Sequence, residues 1–177
     1  MPVIRGPVKG PSLTDDQRKG LLARLENELS GKSSASEKTV WEVPLIFEMP
    51  LDRLDGPPDR MDVLVVWDAL EGLRSEERSA LILDAYHDQA DKIIQALGVT
   101  REEAMDQCVL PYRMMHLDRP GEVDQDAITK AMLDEGGFLV GDRAELLLPT
   151  RRIAEAALDR LNNRIPEGRW AIGEFVN

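Results

Sequence analysis

The chain has one cysteine, Cys108, among 177 residues, which excludes an intrachain disulfide and any CxxC metal or redox motif. A reduced, cytosolic setting fits that usage. Histidine is almost as scarce. His87 and His116 are the two present, too few for a multi-histidine metal site or for a histidine base with a second histidine beside it. No G-x-x-x-x-G-K, G-x-S-x-G or H-E-x-x-H segment occurs. Gly136, Gly137 and Gly141 lack the G-x-G-x-x-G order and precede a strand pattern, so they read as turn glycines and not as a phosphate cradle. No window approaches the roughly 18 consecutive apolar residues of a membrane helix, and the opening "MPVIRGPVKGPSLTDD" has no apolar signal core. Neither secretion nor membrane insertion is expected, and residues 1–12 read as a mobile arm.

Positive charge is also short: 22 Lys and Arg stand against 33 Asp and Glu, for a formal charge of −11. That balance repels phosphate backbones, so nucleic acid is disfavoured as a partner; what remains is plain solubility or a cationic partner. The one basic concentration, Arg151, Arg152, Arg160 and Arg164, lies on a helical pattern where Glu155 and Asp159 are spaced to offset it.

What is present is ordered pattern. Thr14 and Gln17 form a capping box, and Leu21, Leu22, Leu25 and Leu29 repeat at helical spacing up to Gly31. A polar loop over 31–38 leads to a strand over 39–51, and Pro44 marks it as an edge strand or a bulged one. The turn signal "DRLDGPPDR" then leads to "MDVLVVW", apolar on both faces and so an interior strand, paired with the first as a hairpin. Ser75 caps a helix whose core face carries Ile82, Tyr86, Ala90, Ile93 and Leu97, with Gly98 as its break. Thr100 and Glu103 open a short helix to about residue 107, and "CVLPYRMMHL" returns to strand. Downstream come a helix over "DQDAITKAMLDEGG", a hairpin over "FLVGDRAELLLPT" turned by Gly-Asp, a helix capped by Thr150, and a last strand, "RWAIGEFV". The order is α-β-β-α-α-β and then α-β-β-α-β: an α+β fold with helices on a mostly antiparallel or mixed sheet. Residues 13–177 are expected to form one unit, any sub-division falling near 118–124.

Five groups of residues invite a functional reading. Asp84, His87, Asp88 and Asp91 fall at i, i+3, i+4 and i+7 of the helix over 75–98, a spacing able to offer oxygen and imidazole ligands to a divalent cation; their side is opposite the apolar one, so a solvated face is the simpler reading. Cys108 and His116, eight residues apart, share a face if their segment is one strand, yet stand too far apart to act together; a buried cysteine and a strand-end histidine are the simpler account. Tyr112, Arg113, Met114, Met115 and His116 would make an adaptable partner surface if exposed. Trp41, Trp67 and Trp170 all fall in expected strands, where they gather on one sheet face as core or as a contact patch. In the link "DALEG", Asp68 and Glu71 face Arg74 and Arg78, which hold both acids ionised as a structural clasp, and Gly72 is expected at positive φ.

"VLVVWDALEGLRSEERSALILDAY", together with the α-β-β-α-α-β order over 13–117, resembles the BolA-like family, of class II KH-like topology. Leu70, Glu71 and Gly72 stand where that family has its "FEG" turn, and Arg78 where its "RHR" motif begins. Ser79 and Ala80 break the motif. Gln95, Ala96 and Leu97 stand in place of the "HAL" signature, so the histidine that serves iron–sulfur chemistry with a monothiol glutaredoxin is missing. The resemblance implies that fold and a binding role.

The expectation is a cytosolic binding or regulatory module toward a protein partner, without catalytic machinery or cofactor, and compatible with self-association. The rivals are a metal-dependent enzyme using the Asp84, His87, Asp88 and Asp91 face, and a BolA-like or KH-like module.

Overall fold

A computed structural model describes residues 13–31, 43–51 and 59–175. The expected arm at 1–12, most of the loop over 31–38, Trp41 and most of the "DRLDGPPDR" turn lie outside the described residues. The chain divides into two compact units, one taking the described residues up to Arg101 and the other those from Glu102. This division differs from the sequence reading of one unit with any sub-division near 118–124, its boundary lying between Arg101 and Glu102. The class is α+β, with five α-helices and sheets of three and four strands among the described residues.

In the first unit, α1 (Asp15–Leu29) starts at the expected capping box: Gln17 N donates to Thr14 Oγ1 at 3.3 Å, and Thr14 N to Gln17 Oε1 at 3.1 Å. Strands β1 (Leu45–Pro50) and β2 (Met61–Val66) pair antiparallel from Leu45↔Val66 to Pro50↔Met61. The sheet order β1-β2-β3 makes β1 an edge strand, as its prolines require, and β2 the interior one. Helix α2 (Ser75–Tyr86) then breaks where the sequence pattern continues. His87 turns to φ 48°, a 3₁₀ run spans His87–Lys92, and Ile93–Val99 is strand β3, parallel to β2.

The expected helix over 75–98 is thus replaced by helix, 3₁₀ turn and strand, so that a strand, β3, is inserted between the two helices of the expected α-β-β-α-α-β order. Periodicity cannot separate these readings over "KIIQALGV", whose apolar residues fit either period. Tertiary context decides: β2 is apolar on both faces, and pairing its second edge with β3 satisfies backbone groups that a longer helix would leave bare. A register shift at Met61/Asp62 sets Ala96 and Gly98 beside Val63 and Val65, and Leu97 beside Leu64 on the other face. Leu97 does not share a face with Ile82. The core on the helix side is Leu25, Val63, Val65, Trp67, Leu70, Leu81, Ile82, Ala85 and Tyr86. Gly98 is needed there, since a Cβ would lie 3.0 Å from both Arg78 Cβ and Leu70 Cδ1.

Helix α3 (Arg101–Asp106) follows. The second unit holds β4 (Tyr112–His116), α4 (Gln125–Asp134), β5 (Phe138–Val140), β6 (Arg143–Leu148), α5 (Arg151–Arg164) and β7 (Trp170–Glu174), in the expected order. Its sheet is antiparallel, ordered β5-β6-β4-β7. Asp124 caps α4 through Asp126 N at 3.0 Å, and Thr150 caps α5 through Ile153 N at 3.3 Å. Gly141, at φ 64°, turns the β5–β6 hairpin. Met114, Leu146, Leu148, Ile128, Ala131, Met132, Ala154, Ala157 and Leu161 are buried.

Several expectations change here. Cys108 is exposed, at φ 49°, in the link before β4 and not on a strand shared with His116. Trp67 and Trp170 belong to different units, so no common tryptophan face forms among the described residues. The arginines of α5 are offset by Glu155 and by the end of α4 instead of by Asp159: Arg151 pairs with Glu155 at 2.9 Å, Arg160 with Glu135 at 2.8 Å and Arg164 with Asp134 at 2.5 Å.

Candidate functional site

A cleft of about 550 Å³ opens in the first unit, lined from three elements. The C-terminal end of α1 supplies Glu26, Asn27, Leu29 and Ser30, strand β1 supplies Glu48, and the end of α2 with its 3₁₀ run supplies Ala85 to Gln89. Local structure places each group. Glu48 lies on the edge strand; Tyr86 is the last residue of α2, and its buried ring sends its hydroxyl to Glu48 Oε1 at 2.8 Å. Burial, followed by that hydrogen bond and the charge of Glu48, raises the Tyr86 pKa well above the usual phenol range. At the helix end, the left-handed turn of His87 swings the imidazole to Glu26, with Nε2 to Oε1 2.7 Å. A φ of 48° with ψ −121° is strained for a residue with a Cβ. A smaller hollow of about 290 Å³ is lined by Glu28, Leu29, Ile46 and Glu48, and the Oε2 of Glu28 is buried without a hydrogen-bond partner. The large cleft therefore carries the carboxylates of Glu26, Glu48 and Asp88 against the single imidazole of His87, with Leu29 and Ala85 as apolar wall.

The rival reading, a metal face of Asp84, His87, Asp88 and Asp91, does not assemble. Its i, i+3, i+4, i+7 geometry needs a continuous helix, and α2 ends before His87. Asp84 is ion-paired with Arg18 of α1, His87 with Glu26, and Asp88 and Asp91 sit in the 3₁₀ run. Among the described residues no group of three or more His, Cys, Asp or Glu is placed to hold a metal ion.

The expected partner surface is divided by strand alternation. β4 is an interior strand, so Met114, only 2% exposed, belongs to the core. Tyr112 donates to Glu174 at 3.3 Å and Arg113 to Glu145 at 2.6 Å, while Met115, 37% exposed, lies against Gly173. His116 points into a separate polar cluster. Its Nε2 lies 2.7 Å from Asp118 Oδ2, and Asp118 also accepts from Arg169 N and Nε, both at 2.6 Å. Arg169 reaches Glu122 at 3.1 Å, and the His116 ring lies 5.0 Å from that of Trp170. No sequence spacing relates Asp118 to Arg169, which are brought together by β4–β7 pairing.

Arg169 donates twice to the Asp118 carboxylate and so holds it below the usual carboxylate range, with His116 adding to the effect. A depressed carboxylate contributes stability that is fully present above the unfolded pKa near 4 and is lost as pH falls through the lower folded value. Wild type and Asp118→Asn melted from pH 7 to pH 2 should therefore differ most at neutral pH and converge below about pH 4. A gap that stays constant down to pH 2 would show that the ionised carboxylate contributes nothing.

The link "DALEG" proves to be a turn held by backbone. Gly72 has φ 75°, as expected. The clasp is made otherwise: Asp68 Oδ1 accepts Arg101 N at 2.9 Å, Arg74 pairs with Glu77 at 3.3 Å, and buried Arg78 donates to Leu73 O at 2.9 Å and to Gly98 O at 3.2 Å. Arg78 ties the start of α2 to β3. Asp68→Ala should destabilise by about 1 kcal/mol through loss of this bond to the start of α3, where Asp68→Asn, which keeps an oxygen acceptor, costs less. Equal denaturant midpoints for all three chains would discount the contact.

No protein-family model, curated protein or solved structure matches the chain. No helix among the described residues is long and apolar enough to cross a membrane.

Proposed function

We propose that the chain is a non-catalytic binding module for a protein partner in a reducing, cytosolic compartment, and that the first-unit cleft receives a basic segment of that partner. The cleft itself carries this reading: Glu26, Glu48 and Asp88 surround an opening whose apolar wall is Leu29 and Ala85. A lysine or arginine can lay its alkyl stem on such a wall while its head meets the carboxylates. A charge of −11 steers cationic partners toward the chain. Both histidines are hydrogen-bonded to carboxylates, Glu26 and Asp118, and neither to a hydroxyl or thiol that it could activate as a nucleophile.

The test is capture by the tagged full chain from its native host, with Asp88→Lys run in parallel. Asp88 is exposed, so its reversal should leave the melt unchanged while the captured protein is lost. A tetra-arginine peptide, titrated by calorimetry, should bind the wild type and weaken at least about tenfold against Asp88→Lys, roughly 1.4 kcal/mol. Capture that is indifferent to the charge reversal would remove the cleft from the reading; no specific protein captured would remove the module.

A second reading, a BolA-like or KH-like module, is favoured by the first unit. There an interior strand enters the Leu70–Gly72 turn and then α2, although β3 intervenes before α3, where the resemblance has two helices in succession. In this reading Gln95, Ala96 and Leu97 lie on β3, and Arg78 serves the fold as a strand tie.

A further inference from the structure

We draw no further inference here: the strongest candidate outside the cleft, the cluster of His116, Asp118, Glu122 and Arg169 beside Trp170 where β4 meets β7, has its charged groups matched to one another and nothing in the structure shows what ligand it would take.

Discussion

Trp67→Ala should lower the unfolding free energy by about 3–5 kcal/mol. The indole is 1% exposed and belongs to the cluster that joins α1, β2 and α2 through Leu25, Val63, Val65, Leu70, Leu81, Ile82, Ala85 and Tyr86. Its backbone continues the sheet beyond β2, with N–H donating to Val99 O at 2.9 Å, and the 3₁₀ turn Asp68–Leu70 starts at the next residue. Truncation there removes the largest side chain of the core at a point where pairing to β3 and the turn hold the backbone fixed, so the surroundings have little freedom to close the void. The guanidinium of Arg24 stands 4.8 Å from the ring centroid, an exposed cation–π contact worth about 0.5–1 kcal/mol. Most of the loss is therefore cavity and transfer. Arg24→Gln should cost well under a third of what Trp67→Ala costs in urea melts followed by circular dichroism. A loss below about 1 kcal/mol for Trp67→Ala would mean that the indole is not the centre of this core.

How far such cores could be read from sequence depends on whether local pattern and tertiary pairing agree. Thr14 with Gln17 and Thr150 start the helices they are expected to cap, whereas the N-cap of α2 is Arg74 and the expected cap Ser75 is already its first helical residue. The hairpin of β1 and β2, the edge position of β1 and the β5–β6 turn at Gly141 also follow from local residues. The failure at residues 87–99 has a specific physical origin. Ile93 and Leu97 continue a helical stripe from Ile82 and Tyr86, and nothing local in "YHDQADKI" forces a break except a histidine in a conformation that histidine rarely adopts. The break is imposed by β2, whose second edge needs a partner.

The candidate site was less legible for the same reason. Tyr86 was visible as a core residue but its hydroxyl partner Glu48 lies 38 positions away, on a strand whose register sets the pair. Glu26 carries no sequence signal of its own, because it is the end of α2 that turns His87 toward it. The candidate metal quartet failed because its geometry presupposed a helix, and the candidate contact patch failed because β4 lies inside its sheet, where alternate residues must go to opposite faces. Arg78 shows the reverse case. The sequence suggests a surface partner for acids in the turn, yet the Cβ-free approach of Gly98 lets its guanidinium reach the Gly98 carbonyl of β3, and the Leu73 carbonyl in the link, from a buried position.

Gly137→Ala should be the most damaging single-methyl change in the second unit, at about 3 kcal/mol, the upper part of the range for over-packing. The helix α4 ends in a Schellman arrangement: Gly136 N donates to Leu133 O at 3.1 Å, and Gly137 N to Met132 O at 2.9 Å. The two adjacent glycines serve different ends. Gly136 has φ 94°, the left-handed conformation that closes the helix, and its replacement by alanine should cost about 1 kcal/mol of backbone strain. A Cβ at Gly137 would instead stand 2.6 Å from Met132 O and 2.7 Å from Glu145 O. Both obstacles are backbone, one at the end of α4 and the other on β6 opposite Phe138, so no side-chain rotation relieves them. Accommodation requires either opening the Schellman bond or pushing β5 away from β6, and each gives up hydrogen bonds that anchor an edge strand of only three residues. The ordering of the two variants is the discriminating result. Gly137→Ala should fall well below Gly136→Ala in denaturant midpoint at unchanged m-value, and hydrogen exchange at β5 amides should accelerate in Gly137→Ala alone. Equal midpoints would show that the link between α4 and β5 yields to a methyl group, and that the close approach of the two carbonyls does not constrain residue 137.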